Sequence, residues 1–141
     1  GEVRVAVHRW RDVSSAPAAS AALPINNGPR ATSFVAAAFP IAPLLADSGC
    51  ERTDCYVAVS FTPTGRQTPL ASSHLWLSPF RYAELPRTTV SIDSVSTLAP
   101  DRALVSVSAT ATAAFVVLES MDVLGAFDDG GFLLPAGETL S

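Results

Sequence analysis

Residues Ala114 to Glu138 read AFVVLESMDVLGAFDDGGFLLPAGE, and this stretch decides the fold. It opens on a compact apolar run, Ala114-Phe115-Val116-Val117-Leu118, rich in β-branched and aromatic side chains and too short for a stable helix. That profile predicts a strand buried on both faces or nearly so. Glu119 to Leu124 then crosses over to Gly125-Ala126-Phe127-Asp128-Asp129-Gly130-Gly131-Phe132. Asp bonds its own backbone and Gly accepts positive φ without steric cost, so the middle of this segment is a turn. Phe127 and Phe132 are expected to hold the two arms of the turn on the core. Pro135 forbids a central-strand position directly after Leu134.

Working outward, the remaining apolar pattern has period two. Glu2 to Trp10 alternates, with Val3, Val5 and Val7 on one face, which predicts a half-buried strand. Residues 12–31 lose the period; a short strand is expected near Leu23 to Ile25, then a turn at Asn26-Asn27-Gly28-Pro29. Ser33 to Phe39 reads as a strand stopped by Pro40, and Ile41 to Asp47 as one helical turn ended by Ser48-Gly49. Strands follow at Tyr56 to Phe61 and Ser72 to Pro79, with a loop over Thr62 to Pro69 between them. The last pair is Thr88 to Ser96, with Val90 and Ile92 on one face, and Ala103 to Thr112, with Leu104, Val105 and Val107; Thr97 to Arg102 connects them. Some eight short strands with regular turns predict an all-β fold, an immunoglobulin-like β-sandwich with one short helical turn. A single domain is expected over 1–141.

Composition narrows the function classes. The chain has 141 residues and a net charge of −4, enough length to bury about two thirds of its unfolded surface. It contains no lysine, and its nine arginines are scattered singly, so no basic patch points to nucleic acid. No apolar run approaches the ~20 residues of a membrane span, so no membrane partner is expected. Gly1-Glu2 leads straight into a strand pattern, as expected of a mature or excised piece of a longer protein.

The chemistry-bearing residues read mostly as structure. Cys50 and Cys55 form a C-x4-C pair that can close a small loop if their Cβ atoms face each other. The alternatives are two unpaired buried thiols or, less favoured, a zinc site, for which two cysteines supply too few ligands. Closing so short a ring is worth about 2 kcal/mol in the chain-entropy model. Asp128 and Asp129 are read as turn chemistry, with a weak cation site as the minor alternative. His74 follows Ser72 and Ser73, but neighbouring strand residues face opposite ways, and His8 sits within a strand. No catalytic residue, metal or cofactor is therefore expected. Trp10, Trp76, Phe80 and Tyr82 could form a sugar-stacking platform; packing in the sandwich or at a domain boundary is the favoured reading for Trp76.

The segment G-x-F-D-D-x-x-F-x-L-P-x-G-E resembles G-x-F-S-D-N-x-F-x-L-L-P-G-E, found in the last immunoglobulin-like domain of β-mannosidases of glycoside hydrolase family 2. Asp128 stands where that family often has Ser, Gly130 where it often has Asn, and Ala136 interrupts the Pro-Gly-Glu. The similarity runs from Val3 to Glu138 through two further anchors. One is the V-x-V-x-x-W-like start ending at Trp10; the other is the Cys50 to Trp76 region with Leu85-Pro86 beyond it. The resemblance implies a non-catalytic accessory domain, since the family's two catalytic glutamates lie on a (β/α)8 barrel with no counterpart here. It implies the barrel as interdomain partner, with a mannoside ligand to be considered; Trp76, Tyr82, Asp128 and Asp129 are the candidates for sugar or interdomain contact. Lysosomal-type members carry cysteines in a similar place, which implies a Cys50–Cys55 disulfide and an extracytoplasmic, lysosomal or secreted location. A further strand is expected after Glu138, very short or cut.

Overall fold

A computed structural model describes residues 1–14, 16–25, 39–121, 125–128 and 130–140. The expected Asn26–Pro29 turn and nearly all of the Ser33–Phe39 strand lie outside the described residues. Among the described residues, nine strands, one helix and one 3₁₀ turn make the chain all-β, as its periodicity dictates. Its contacts divide it into two compact units: residues 1–9 with 16–84, and residues 10–15 with 85–141. Period two states which face a residue takes but not which strand lies beside it. A grouping of this kind is therefore invisible to the pattern that led to a single sandwich over 1–141.

The first unit is a four-stranded antiparallel sheet in the order β2-β1-β3-β4, with β1 Glu2–Arg9, β2 Ala19–Pro24, β3 Cys55–Thr62 and β4 Ala71–Trp76. β2 is longer than the short strand expected near Leu23, and β4 ends at Trp76 rather than Pro79. Register sets Val3, Val5 and Val7 opposite Phe61, Val59 and Val57. On that face Val5, Val7 and Val57 form a core with Cys55 and Leu44. Leu44 comes from helix α1, Ile41–Ser48, whose Ile41, Leu44 and Leu45 recur at helical spacing and pack on the sheet. Gly49 ends α1 at φ 62°, where a side chain would be strained, and its N–H donates to the Ala46 carbonyl.

The second unit holds a three-stranded sheet, β5-β6-β9, and a two-stranded one, β7-β8. β5 is Val90–Ala99, β6 Arg102–Ala109, β7 Ala113–Val116, β8 Phe132–Leu134 and β9 Thr139–Leu140. β5 ends later and β6 starts earlier than expected, and they turn through Pro100-Asp101, so the expected Thr97–Arg102 connection is mostly strand; β6 also stops at Ala109 rather than Thr112. The Thr88 hydroxyl donates to the Ala111 carbonyl at 2.6 Å and accepts from the Ala111 N–H at 3.0 Å, latching the start of β5 to the end of β6. Val107, Ala109, Ala113, Val116 and Leu134 form the core of this unit. The strand expected after Glu138 is β9, only two residues long, paired with Val107 and Ser108.

Two expectations from the deciding stretch are corrected. The Ala114–Leu118 run is not buried on both faces: Val116 is buried, but Phe115 and Val117 are exposed. The register shifts between Ala113 and Val116, and Phe115 sits at φ 55°. This bulge turns Ala113 and Val116 inward and Phe115 outward, at about 1–2 kcal/mol of backbone strain. Phe127 is exposed, so only Phe132 holds the turn to the core. Val90 and Ile92 share a face, as expected, opposite Ala109 and Val107, and both are exposed.

Candidate functional site

Three places bring chemistry-bearing side chains together. The first is built by β-ladder register: His8, Tyr56 and Trp76 are cross-strand neighbours on β1, β3 and β4. The His8 ring stacks on Tyr56 at 5.3 Å, and Trp76 lies tilted at 6.3 Å from it. His74, two residues before Trp76, meets the Tyr56 ring edge-on at 5.9 Å. Phe80, from the 3₁₀ turn Phe80–Tyr82, approaches Trp76 edge-on at 5.2 Å. Tyr82 is exposed, but the Arg81 guanidinium lies 4.7 Å over its ring. Trp76 is thus half-buried among other rings, whereas Tyr82 reaches solvent with a cation on one face. Reading the strands one at a time missed Tyr56, which is buried at the centre of this group; the signal lay in the pairing of β3 with both neighbours.

Burial lowers the His74 pKa from its usual value of 6.5 by desolvating the cation. As pH falls below 6.5, the unfolded chain takes up a proton that folded His74 still resists. His74 therefore contributes a loss of stability as pH drops from 6.5 towards the lowered folded value. Urea unfolding between about pH 7 and pH 5 is expected to show a decline that is shallower in His74→Gln. Equal slopes in the two proteins would remove His74 as its source.

The second place is the loop between α1 and β3. Cys50 and Cys55 form a disulfide with a Cα–Cα distance of 6.1 Å, as the resemblance implied. Asp54 lies beside it, within 4.8 Å of both sulfurs, the one such acid–thiol group among the described residues. Both sulfurs are committed to the disulfide, so no thiolate is offered to a metal. Arg9 donates to the Ser48 carbonyl at the end of α1, and its guanidinium stands 3.9 Å from Asp54 Oδ2. A cation on the last carbonyls of a helix is favourably placed against the helix dipole. The arrangement is a brace between helix and sheet.

The third place is the turn after β7. Leu118, Glu119, Met121, Phe127 and Asp128 line an open hollow of about 640 Å³. The Gly131 N–H donates to the Val116 carbonyl at 2.9 Å, and Gly131 has φ 73°, the positive value that glycine accepts freely. Asp128 is exposed; Asp129 lies outside the described residues. Of the candidates, Trp76 and Tyr82 belong to the first unit and Asp128 to the second.

The second unit has the make-up of an immunoglobulin-like all-β domain, with short antiparallel strands in two sheets around an aliphatic core. Residues 83–141 match the family model Ig_mannosidase, an Ig-fold domain, so this part of the chain is similar to the domain that the Gly125 to Glu138 motif resembles. No curated protein matches the chain.

Proposed function

We propose that this chain is a non-catalytic accessory part of a β-mannosidase-like glycoside hydrolase whose barrel domain releases terminal non-reducing β-D-mannose. Its role is interdomain support, with the loop of Glu119 and Asp128 as the element to place near the active-site rim. The observation that carries this reading is a coincidence of boundaries. The family match begins at residue 83 and the second compact unit resumes at Leu85. The disulfide fits an oxidising, non-cytoplasmic compartment, and lysosomal or secreted placement is part of the proposal. No helix among the described residues is long and apolar enough to cross a membrane.

Incubated with a chromogenic β-mannoside, the isolated chain is expected to show no turnover above a protein-free control. Turnover that survives repurification would end the accessory reading. The second reading, a carbohydrate-binding module, is favoured by the exposed ring of Tyr82. Arg81 over that ring and Phe80 against Trp76 weaken it, since sugar stacking needs an open aromatic face. Titration with manno-oligosaccharides is expected to leave Trp fluorescence unchanged. A saturable change that is lost in Tyr82→Ala would favour the module.

A further inference from the structure

The β5–β6 hairpin has two unlike faces. Register sets Val90, Ile92, Val95 and Thr97 opposite Ala109, Val107, Val105 and Ala103, while Ser91, Ser94 and Ser96 take the other side. The apolar row is covered on β6, where Val107 is 1% exposed, and open on β5, where Val95 is 64% exposed. β5 is also the outer strand of its sheet and runs for ten residues. Among the described residues, one side of its backbone faces no neighbouring strand.

Proteins protect such edges with short strands, proline, charge or bulges. Four of the other edges here follow that rule: β9 has two residues, β8 has three, β7 is bulged, and β2 ends at Pro24. β4 has neither proline, formal charge nor bulge, but it is shorter than β5, at six residues. β5 contains no proline, lysine or arginine. Its one charge, Asp93, is engaged by the Ser108 hydroxyl at 2.8 Å. Register shifts at Ile92/Ser94 and Thr97/Ala99 add twist but leave the run Ser94–Thr97 regular between them.

We propose that β5 is a self-association edge, pairing antiparallel with β5 of a second copy of this chain about a two-fold axis at Val95. A two-fold contact must be self-complementary, and this strand is. Centring on Val95 sets Val95 against its own copy on the apolar face and Ser94 against Ser96 on the serine face, so both faces stay in register. Asp93 falls opposite Thr97, and the two Asp93 carboxylates stand four positions apart. At 3.3 Å per residue that is about 13 Å, beyond the ~8 Å screening length at physiological salt. The edge is about 33 Å long and about 10 Å thick, roughly 330 Å² per copy. That is under half of the ~800 Å² per partner of a stable complex, so the dimer is weak and depends on concentration.

Sedimentation of the full chain from about 1 μM to about 1 mM tests this, with amide exchange measured at both ends of the range. A monomer–dimer shift is expected, with residues 90–99 slowed at high concentration and β2 unchanged. Val95→Lys brings two ammonium groups together at the axis and is expected to weaken association roughly tenfold or more. Ile92→Lys, also at an exposed position, serves if that variant fails to fold. Val117→Lys removes an equally exposed apolar group off the edge and is expected to leave association unchanged. A monomer throughout, an open-ended polymer, or a dimer indifferent to both β5 lysines would each overturn the proposal.

Discussion

Leu134→Ala is expected to lower the unfolding free energy by about 2–5 kcal/mol, the largest loss of any conservative truncation in the second unit. Leu134 is 0% exposed and packs with Val107, Ala109, Ala113 and Val116. Those neighbours are small or β-branched, with stiff rotamers that swing poorly into a vacated space, so the cavity persists and adds to the lost transfer energy. β8 is only three residues long, and two of them, Leu133 and Leu134, are buried. Urea denaturation followed by circular dichroism measures the change through the transition midpoint. A loss under about 1 kcal/mol would mean that this core collapses around the gap or was never closely packed.

Reducing the Cys50–Cys55 bond, or replacing both residues with Ser, is expected to cost about 2 kcal/mol from loop-closure entropy. The double Ser variant is expected to lose more. Cys55 is 1% exposed within the core of Val5, Val7, Leu44 and Val57, and a hydroxyl there forfeits apolar burial. The two measurements separate the contributions: urea unfolding with and without reductant reads the cross-link, and Cys50→Ala/Cys55→Ala against the Ser pair reads the buried hydroxyl. Equal midpoints with and without reductant would show that Arg9, bound to the Ser48 carbonyl and beside Asp54, holds α1 to the sheet without the cross-link.

Much of the strand content was legible because alternation is a local property. Val3, Val5 and Val7 announced β1, and Tyr56 to Phe61 announced β3, since period two needs only the neighbouring residues. Ser48-Gly49 marked the end of α1 for an equally local reason, the positive φ that glycine supplies. What failed was everything that depends on a partner. Ala114–Leu118 has the composition of a doubly buried strand. A bulge nevertheless turns Phe115 out, because β7 must bring both Ala113 and Val116 to face Leu134 and Phe132. Val90 and Ile92 share the face that alternation gave them, but alternation does not state how far a face is covered, and both are exposed. Spacing along the chain gave no sign that Tyr82 and Asp128 belong to different units.

By itself the sequence determined that the chain is all-β with one short helix, and it carried the Gly125 to Glu138 motif, which lies within the residues that match the Ig_mannosidase family model. Side-chain alternation, turn residues and a short motif are encoded within a few positions of one another, and backbone sterics read them directly. Only the tertiary structure decided that the strands gather into two units, that Tyr56 gathers His8, His74 and Trp76 around it, and that β5 keeps an open apolar row. Those outcomes depend on which distant strand lies alongside, and burial free energy settles that choice across the whole chain rather than at any one residue.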